Sequence, residues 1–169
     1  MSVNPLLLTL KINTVSQQYF DTLRKQYFPP ERNFLDAHLM LFHQLPGNEP
    51  QIIGDIAGIA SSSNGFNMHV SSPVVIGRGV AYKIESMELQ AMHKQMQKLW
   101  QQWLIPQDNH KIWPHVTIQN KVEPETAKQT LAQVSASFRA FDISATGLQL
   151  WEYQGGPWRF VSEWGFAGK

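Results

Sequence analysis

The sequence predicts an α+β fold of two pseudo-symmetric lobes, each a small, mostly antiparallel sheet with flanking helices, around a central cleft. Three observations predict it. Short segments of apolar–polar alternation interleave with stretches of helical period. Both halves of the chain read strand–helix–strand–helix–strand. In each half, the second strand carries a histidine near its start. The 169 residues thus form one domain of two lobes, 1–75 and 76–169.

Residues 6–13 end on alternation, Leu8, Leu10 and Ile12 against Thr9 and Lys11, and read as a largely buried strand. Thr14 and Gln17 fit a T-x-x-Q capping box, which opens a helix. Val15, Tyr19, Phe20, Leu23 and Tyr27 follow at helical spacing until Pro29-Pro30 stops it. Residues 37–43 form the second strand, ended by Pro46-Gly47. Residues 50–60 open with Pro, as a first helical turn allows, and carry Ile52, Ile53, Ile56 and Ile59. A third strand spans 66–72, and the second half begins after Pro73.

In that half, Val80, Tyr82 and Ile84 alternate with Ala81 and Lys83 in a strand over 79–85, after a Gly77-Arg78-Gly79 turn. Ser86 caps a long helix with the stripe Leu89, Met92, Met96, Leu99 and Trp103, and His93 on its polar side. Residues 114–120 form a strand entered through Pro. Pro124 opens a last helix with Ala127, Leu131, Val134 and Phe138 on one face. Strands 145–153 and 158–166 make a hairpin around Gln154-Gly155-Gly156-Pro157.

Composition excludes several kinds of chemistry. With no Cys there is no disulfide framework, thiolate nucleophile or Cys-based zinc or iron–sulfur site, which suits a reducing cytoplasm. A net charge of +1 gives no bulk attraction to nucleic acid or membrane, so any polyanion contact comes from a local cluster. Hydrophobic residues at 43% and charged residues at 16% exclude a disordered chain. The start of the chain lacks the basic opening of a secretion signal, and the apolar run Leu6–Leu8 is too short to cross a bilayer.

Side chains alternate along a strand, so His38, Met40 and Phe42 share one face, and His115, Thr117 and Gln119 share another. Leu39, Leu41, Val116 and Ile118 point the other way and suit a buried face. Two imidazoles lining one cleft suit acid–base work, since a neutral ring removes a proton while a protonated ring delivers one. A threonine two residues after a histidine donates to the same group, and with phosphate as that group no metal is required.

The strands His38-Leu39-Met40-Leu41 and His115-Val116-Thr117-Ile118 resemble the paired H-x-T/S-h motifs of the two-histidine phosphoesterases, the 2′-5′ RNA ligase-like superfamily. The flanks FPPERNFLDAHLMLFHQLP at 28–46 and WPHVTIQNKV at 113–122 are similar to a bacterial branch of it, and the resemblance covers essentially the whole chain. It implies two pseudo-symmetric lobes around a cleft. It also implies metal-independent attack on 2′,3′-cyclic or 2′-5′ phosphodiester bonds of nucleotides or RNA ends, by a monomer without a cofactor. By position the resemblance gives His38 and His115 the roles of base and acid, without fixing which is which, and Thr117 that of phosphate donor.

One position departs from that pattern. The hydroxyl of the first motif falls at Met40, whose thioether cannot donate to phosphate. Lys121, Gln119, Tyr82 and His43 are the candidates to make good the loss, and Phe42 and Trp113 are the candidates to touch a base. Met40 also supports a second reading, a binding module of the same fold that holds a nucleotide or RNA end without turnover. On strand parity His43 faces away from His38 unless a bulge intervenes. Asp108 reads as a turn residue, with support of a site side chain as its other reading, and Trp158, Phe160, Trp164 and Phe166 read as packing.

Overall fold

Seven strands, each antiparallel to its neighbours, alternate with four helices in the computed structural model, which describes residues 3–168. They are β1 (Leu6–Ile12), α1 (Thr14–Tyr27), β2 (Leu39–Leu45), α2 (Pro50–Ser62), β3 (Phe66–Ile76), β4 (Gly79–Glu85), α3 (Met87–Trp100), β5 (His115–Gln119), α4 (Pro124–Ala136), β6 (Phe141–Tyr153) and β7 (Trp158–Gly165). The sheet order is β1-β2-β5-β4-β3-β6-β7, and β6 pairs with β1 as well. That pairing closes the sheet into a barrel-like ring, which leaves few free edges.

The length of β6 makes the closure possible. Its Phe141–Ala145 end pairs with β3, and its stretch from Ala145 to Glu152 pairs with β1. The strands therefore form one continuous sheet, where the sequence suggests two small ones. Residue 75 falls within the β3–β4 hairpin, at the pair Val75↔Val80. β3 also runs straight through Pro73, which pairs with Tyr82, so the strand does not end there. The core fills with the inward residues of the strands, among them Leu8, Leu10, Leu39, Val116, Ile118, Leu148 and Leu150, against Ile52 and Ile56 of α2.

Two local expectations are corrected. Thr14 and Gln17 make no capping box. The N-cap is Asn13, whose Oδ1 accepts the Ser144 N–H at 2.9 Å, and the Gln17 amide donates to the Ala37 carbonyl at 2.7 Å. On α3, Leu89, Met92 and Met96 are buried and Ser86 Oγ accepts the Leu89 N–H at 3.1 Å. The next buried residue is Trp100, however, and Leu99 is 40% exposed. Steps of three and four average 3.5 residues while the helix turns every 3.6, so a strict stripe drifts off the seam. Trp103 lies past the end of α3, half-buried in a 3₁₀ turn. His93 faces the core, and its Nε2 donates to the Leu41 carbonyl at 2.9 Å.

Candidate active site

β2 and β5 lie side by side with Leu39 opposite Val116. Both of these residues are buried, so their neighbours face away from the core. Carried one residue each way, the register sets His38 opposite Thr117 and Met40 opposite His115. The two histidines are then a diagonal pair, about 7–8 Å apart at the backbone. His38, Met40, His115 and Thr117 are all half-buried on this face. On the far side of β5, Lys83 of β4 pairs with His115, which brings a half-buried lysine to the same face, its Nζ 3.5 Å from the Glu85 carboxylate.

The two histidines are held in the same way. Nδ1 of His38 lies 2.8 Å from the Asp36 carbonyl, and Nδ1 of His115 lies 2.8 Å from the Trp113 carbonyl. A carbonyl only accepts, so each Nδ1 carries the hydrogen and each neutral ring keeps its lone pair on Nε2. Each ring packs against an indole: His38 on Trp158 and His115 on Trp113, both at 4.8 Å between centroids. Burial pushes both rings down, His115 below the ordinary histidine value and His38 to about 4. The Arg24 charge adds to burial at His38 and outweighs, with it, the bond to the Asp36 carbonyl.

α1 fixes the approach to His38. Asp21 Oδ1 accepts the Ala37 N–H at 2.8 Å while Gln17 donates to the Ala37 carbonyl, so both backbone polar groups of the preceding residue are tied to the helix. Arg24, one turn further on, is buried with its guanidinium 4.0 Å from the Phe28 ring centroid. It donates to Asn33 Oδ1 at 2.8 Å and to the Thr117 carbonyl at 3.2 Å. One helix thereby pins both motif strands.

Both strands bulge three residues after their histidine. The β1 register slips from Thr9↔Met40 to Leu8↔Phe42, which leaves Leu41 extra. The β4 register slips from Ala81↔Thr117 to Val80↔Gln119, which leaves Ile118 extra. Gly79 permits the second bulge, because a Cβ there would collide with the Gln119 carbonyl. An extra residue reverses the alternation beyond it. Phe42 and Gln119, expected in the cleft, are therefore in the core.

Phe42 is fully buried, stacked on His93 at 4.5 Å and edge-on to Trp100 at 5.1 Å. Gln119 is 2% exposed and donates to Thr130 Oγ1 at 2.8 Å and to the Tyr27 carbonyl at 3.3 Å. Tyr82 is also corrected. It pairs with Val116 on the core face, is 1% exposed, and packs edge-on to Phe20 at 5.5 Å, with its hydroxyl pushed up by burial. Lys121 sits in the exposed turn after β5 with φ 61°, beyond that bulge. Trp113 is exposed at 42% beside His115.

A second slip on β2, from Leu8↔Phe42 to Leu6↔Leu45, takes His43 and Gln44 out of the ladder. Their N–H groups donate to the Asp108 carboxylate, both at 2.9 Å, and His43 Nδ1 lies 2.8 Å from Asp108 Oδ1. Asp108 is thus a buried carboxylate rather than a plain turn residue. Burial works against its charge, but the bonds from the His43 ring and the two N–H groups prevail and hold it below its ordinary value. Since Leu41 and Phe42 are both buried, His43 emerges on the outer face with His38, against simple parity. It is near enough for its charge to act on both His38 and His115.

A cavity of about 370 Å³ opens beside His38, walled by Trp151, Trp158, Gln149, Gln17 and Phe34. Trp158 reaches the site only through the pairing of β6 and β7, and no pattern in the sequence marks it. Among the described residues no three His, Asp or Glu side chains are grouped to hold a metal ion, and no helix is long and apolar enough to cross a membrane.

The sequence matches the family model of the 2′-5′ RNA ligase superfamily over residues 13–157, most of the chain. The chain belongs to the 2′-5′ RNA ligase superfamily. Solved structures of like fold include the TT0787 protein of Thermus thermophilus (TM-score 0.64, 12% identity), E. coli LigT complexed with ATP (0.60, 13%) and a structure described as a phosphoesterase (0.58, 12%). Each alignment covers 98% of this chain and 99% of the other. No curated protein matches by sequence. At these identities the likeness fixes the fold, a mixed helix–strand architecture with a closed antiparallel sheet. Members of the superfamily are phosphoesterases and ligases.

Proposed function

We propose that this superfamily member is a metal-independent phosphodiesterase that opens 2′,3′-cyclic or 2′-5′ phosphodiester bonds of nucleotides or RNA ends, working as a cytoplasmic monomer. The observation that carries the reading is the matched pair of imidazoles. His38 and His115 have the same tautomer, the same indole support and free Nε2 atoms on one face of adjacent strands. The shared geometry, repeated down to the bulge after each histidine, also favours two pseudo-symmetric halves that meet at the β2–β5 seam.

In this reading one neutral ring removes a proton from the attacking water as its oxygen adds to phosphorus. The other ring, protonated, gives its proton to the departing ribose oxygen. Both rings are neutral in the free protein near pH 7, and the phosphodiester charge itself favours a proton on one of them. Thr117 donates to a non-bridging oxygen, where charge builds up. The nucleoside occupies the cavity beside Trp158. E. coli LigT, of like fold, has been solved with ATP and with 3′-AMP, which supports a nucleotide as ligand.

The test is hydrolysis of 2′,3′-cyclic nucleotides and 2′-5′-linked oligonucleotides in EDTA by the wild type, His38→Ala and His115→Ala. Turnover should survive chelation and fall at least about 100-fold in each variant. Loss of turnover on chelation, or full activity in either variant, refutes it. Met40 favours one other reading, a module that binds the nucleotide without turning it over; binding without turnover by the wild type would establish that.

A further inference from the structure

We propose that the His43–Asp108 pair is a third working element of the cleft, in which His43 Nε2 holds the phosphate oxygen that Met40 cannot reach with a donor. Asp108 is its positioning residue. The proposal rests on the reading of the cleft as a phosphodiester site.

Placement comes first. Along the outer face of β2 the order is His38, Met40, His43, with His115 across from Met40. A phosphate between His38 and His115 has Thr117 on one flank. On the other flank a hydroxyl at residue 40 would complete the donors, and the thioether there cannot. Thr9 of β1 pairs with Met40 but is buried, with its hydroxyl taking the Trp151 Nε1–H at 2.9 Å, so His43 is the next exposed polar side chain along β2 on that flank.

Chemistry comes second. The Asp108 side chain is only 1% exposed, yet its carboxylate serves His43 and the adjacent Gln44 N–H. An ionised carboxylate only accepts, so His43 Nδ1 carries a hydrogen and Nε2 is turned outward on a side chain 43% exposed. Where His38 and His115 rest on neutral carbonyls, His43 rests on a charged group. With Nδ1–H held by the carboxylate, it is the imidazolium form that offers an Nε2–H to the phosphate, its charge lying against Asp108. The other group packed here, His93, donates to the Leu41 carbonyl, and burial holds it below the ordinary histidine value.

A purely structural role is also available, since Asp108 satisfies the N–H groups freed by the bulge. The variants must separate the two. In His43→Asn the amide can still donate to Asp108, but nothing stands where Nε2 was. In His43→Gln an amide nitrogen reaches that place.

The experiment measures binding of inorganic phosphate and kcat/KM for 2′,3′-cyclic AMP in both variants, in Asp108→Asn and in His38→Ala, with thermal unfolding alongside. His43→Asn should weaken phosphate binding on the order of 10- to 100-fold, as expected for a lost hydrogen bond to a charged group. His43→Gln should recover part of that, and Asp108→Asn should raise KM and move the pH profile. Wild-type phosphate binding and kcat/KM in a folded His43→Asn overturn the proposal. If His38→Ala alone is impaired, the cleft reading stands and only this proposal falls; if no variant is impaired, both fall. Should His43→Asn unfold, phosphate titration of histidine-labelled wild type decides by NMR. Movement of the His43 Nε2 signal supports the proposal, and a stationary signal refutes it.

Discussion

Met40→Thr restores a hydroxyl at the place the sheet register assigns to one. Residue 40 stands opposite His115 as Thr117 stands opposite His38, and such cross-strand pairs have Cβ atoms about 4.5–5.5 Å apart. A hydroxyl there reaches the same phosphate from the opposite flank. A hydrogen bond to a charged group contributes about 1.5–3 kcal/mol, and about 1.4 kcal/mol is tenfold in rate. The face is open to solvent at half-buried residues, so the lower end applies and kcat/KM should rise about 10-fold. Loss of the partly exposed thioether should cost at most about 1 kcal/mol of stability. If His43 already serves the same oxygen, the gain should be larger in a His43→Asn background, because the two groups then act non-additively. The assay is kcat/KM for 2′,3′-cyclic AMP in EDTA at all four corners of that cycle. No gain in either background refutes the placement of residue 40 beside the reacting phosphate. Equal gains in both refute a shared oxygen.

Because burial lowers both His38 and His115, the state with one ring charged and one neutral is most populated below pH 6.5 in the free protein. The bell-shaped kcat/KM profile should therefore peak on the acid side of 6.5, and a maximum above pH 7 would contradict it. Folding stability should be full above about pH 6.5 and decline toward pH 4, since the unfolded chain then binds protons that His38, His93 and His115 do not bind in the fold. Urea midpoints at pH 7 and pH 5 check the sign, and an equal or higher midpoint at pH 5 refutes it. Phe42→Ala should cost about 3–5 kcal/mol with little change in KM. Trp113→Ala should do the reverse, raising KM at nearly unchanged stability; urea titration and steady-state kinetics on both report it. Asp21→Ala frees the Ala37 N–H that aligns His38, and it should lower kcat more than it raises KM.

Much of the secondary structure was legible because alternation and helical period are direct consequences of burying one face. β1, β4, the Ser86 cap of α3 and the β6–β7 hairpin all follow from pattern. So does the outward turn of His38 and His115, which needs only buried neighbours at Leu39 and Val116. The errors cluster where pairing overrides period. The strands bulge at Leu41 and Ile118, and parity beyond those points predicted the wrong face for Phe42, His43 and Gln119. The pair Thr14/Gln17 has the letters of a capping box, but Gln17 has a better partner in the Ala37 carbonyl, twenty residues on.

The sequence by itself determined the chemistry available. It supplied two histidines on matching strands, a hydroxyl at Thr117, a missing one at Met40 and no thiol anywhere. It also determined which faces are apolar, since that is a property of local order. Tertiary structure decided which groups meet. Trp158 meets His38, Lys83 flanks His115, Arg24 reaches the Thr117 carbonyl, and Asp108 captures His43. The physical reason is that a bulge is set by the partner strand and by what receives its freed N–H groups. Asp108, far along the chain, receives them, and it thereby fixes the His43 ring.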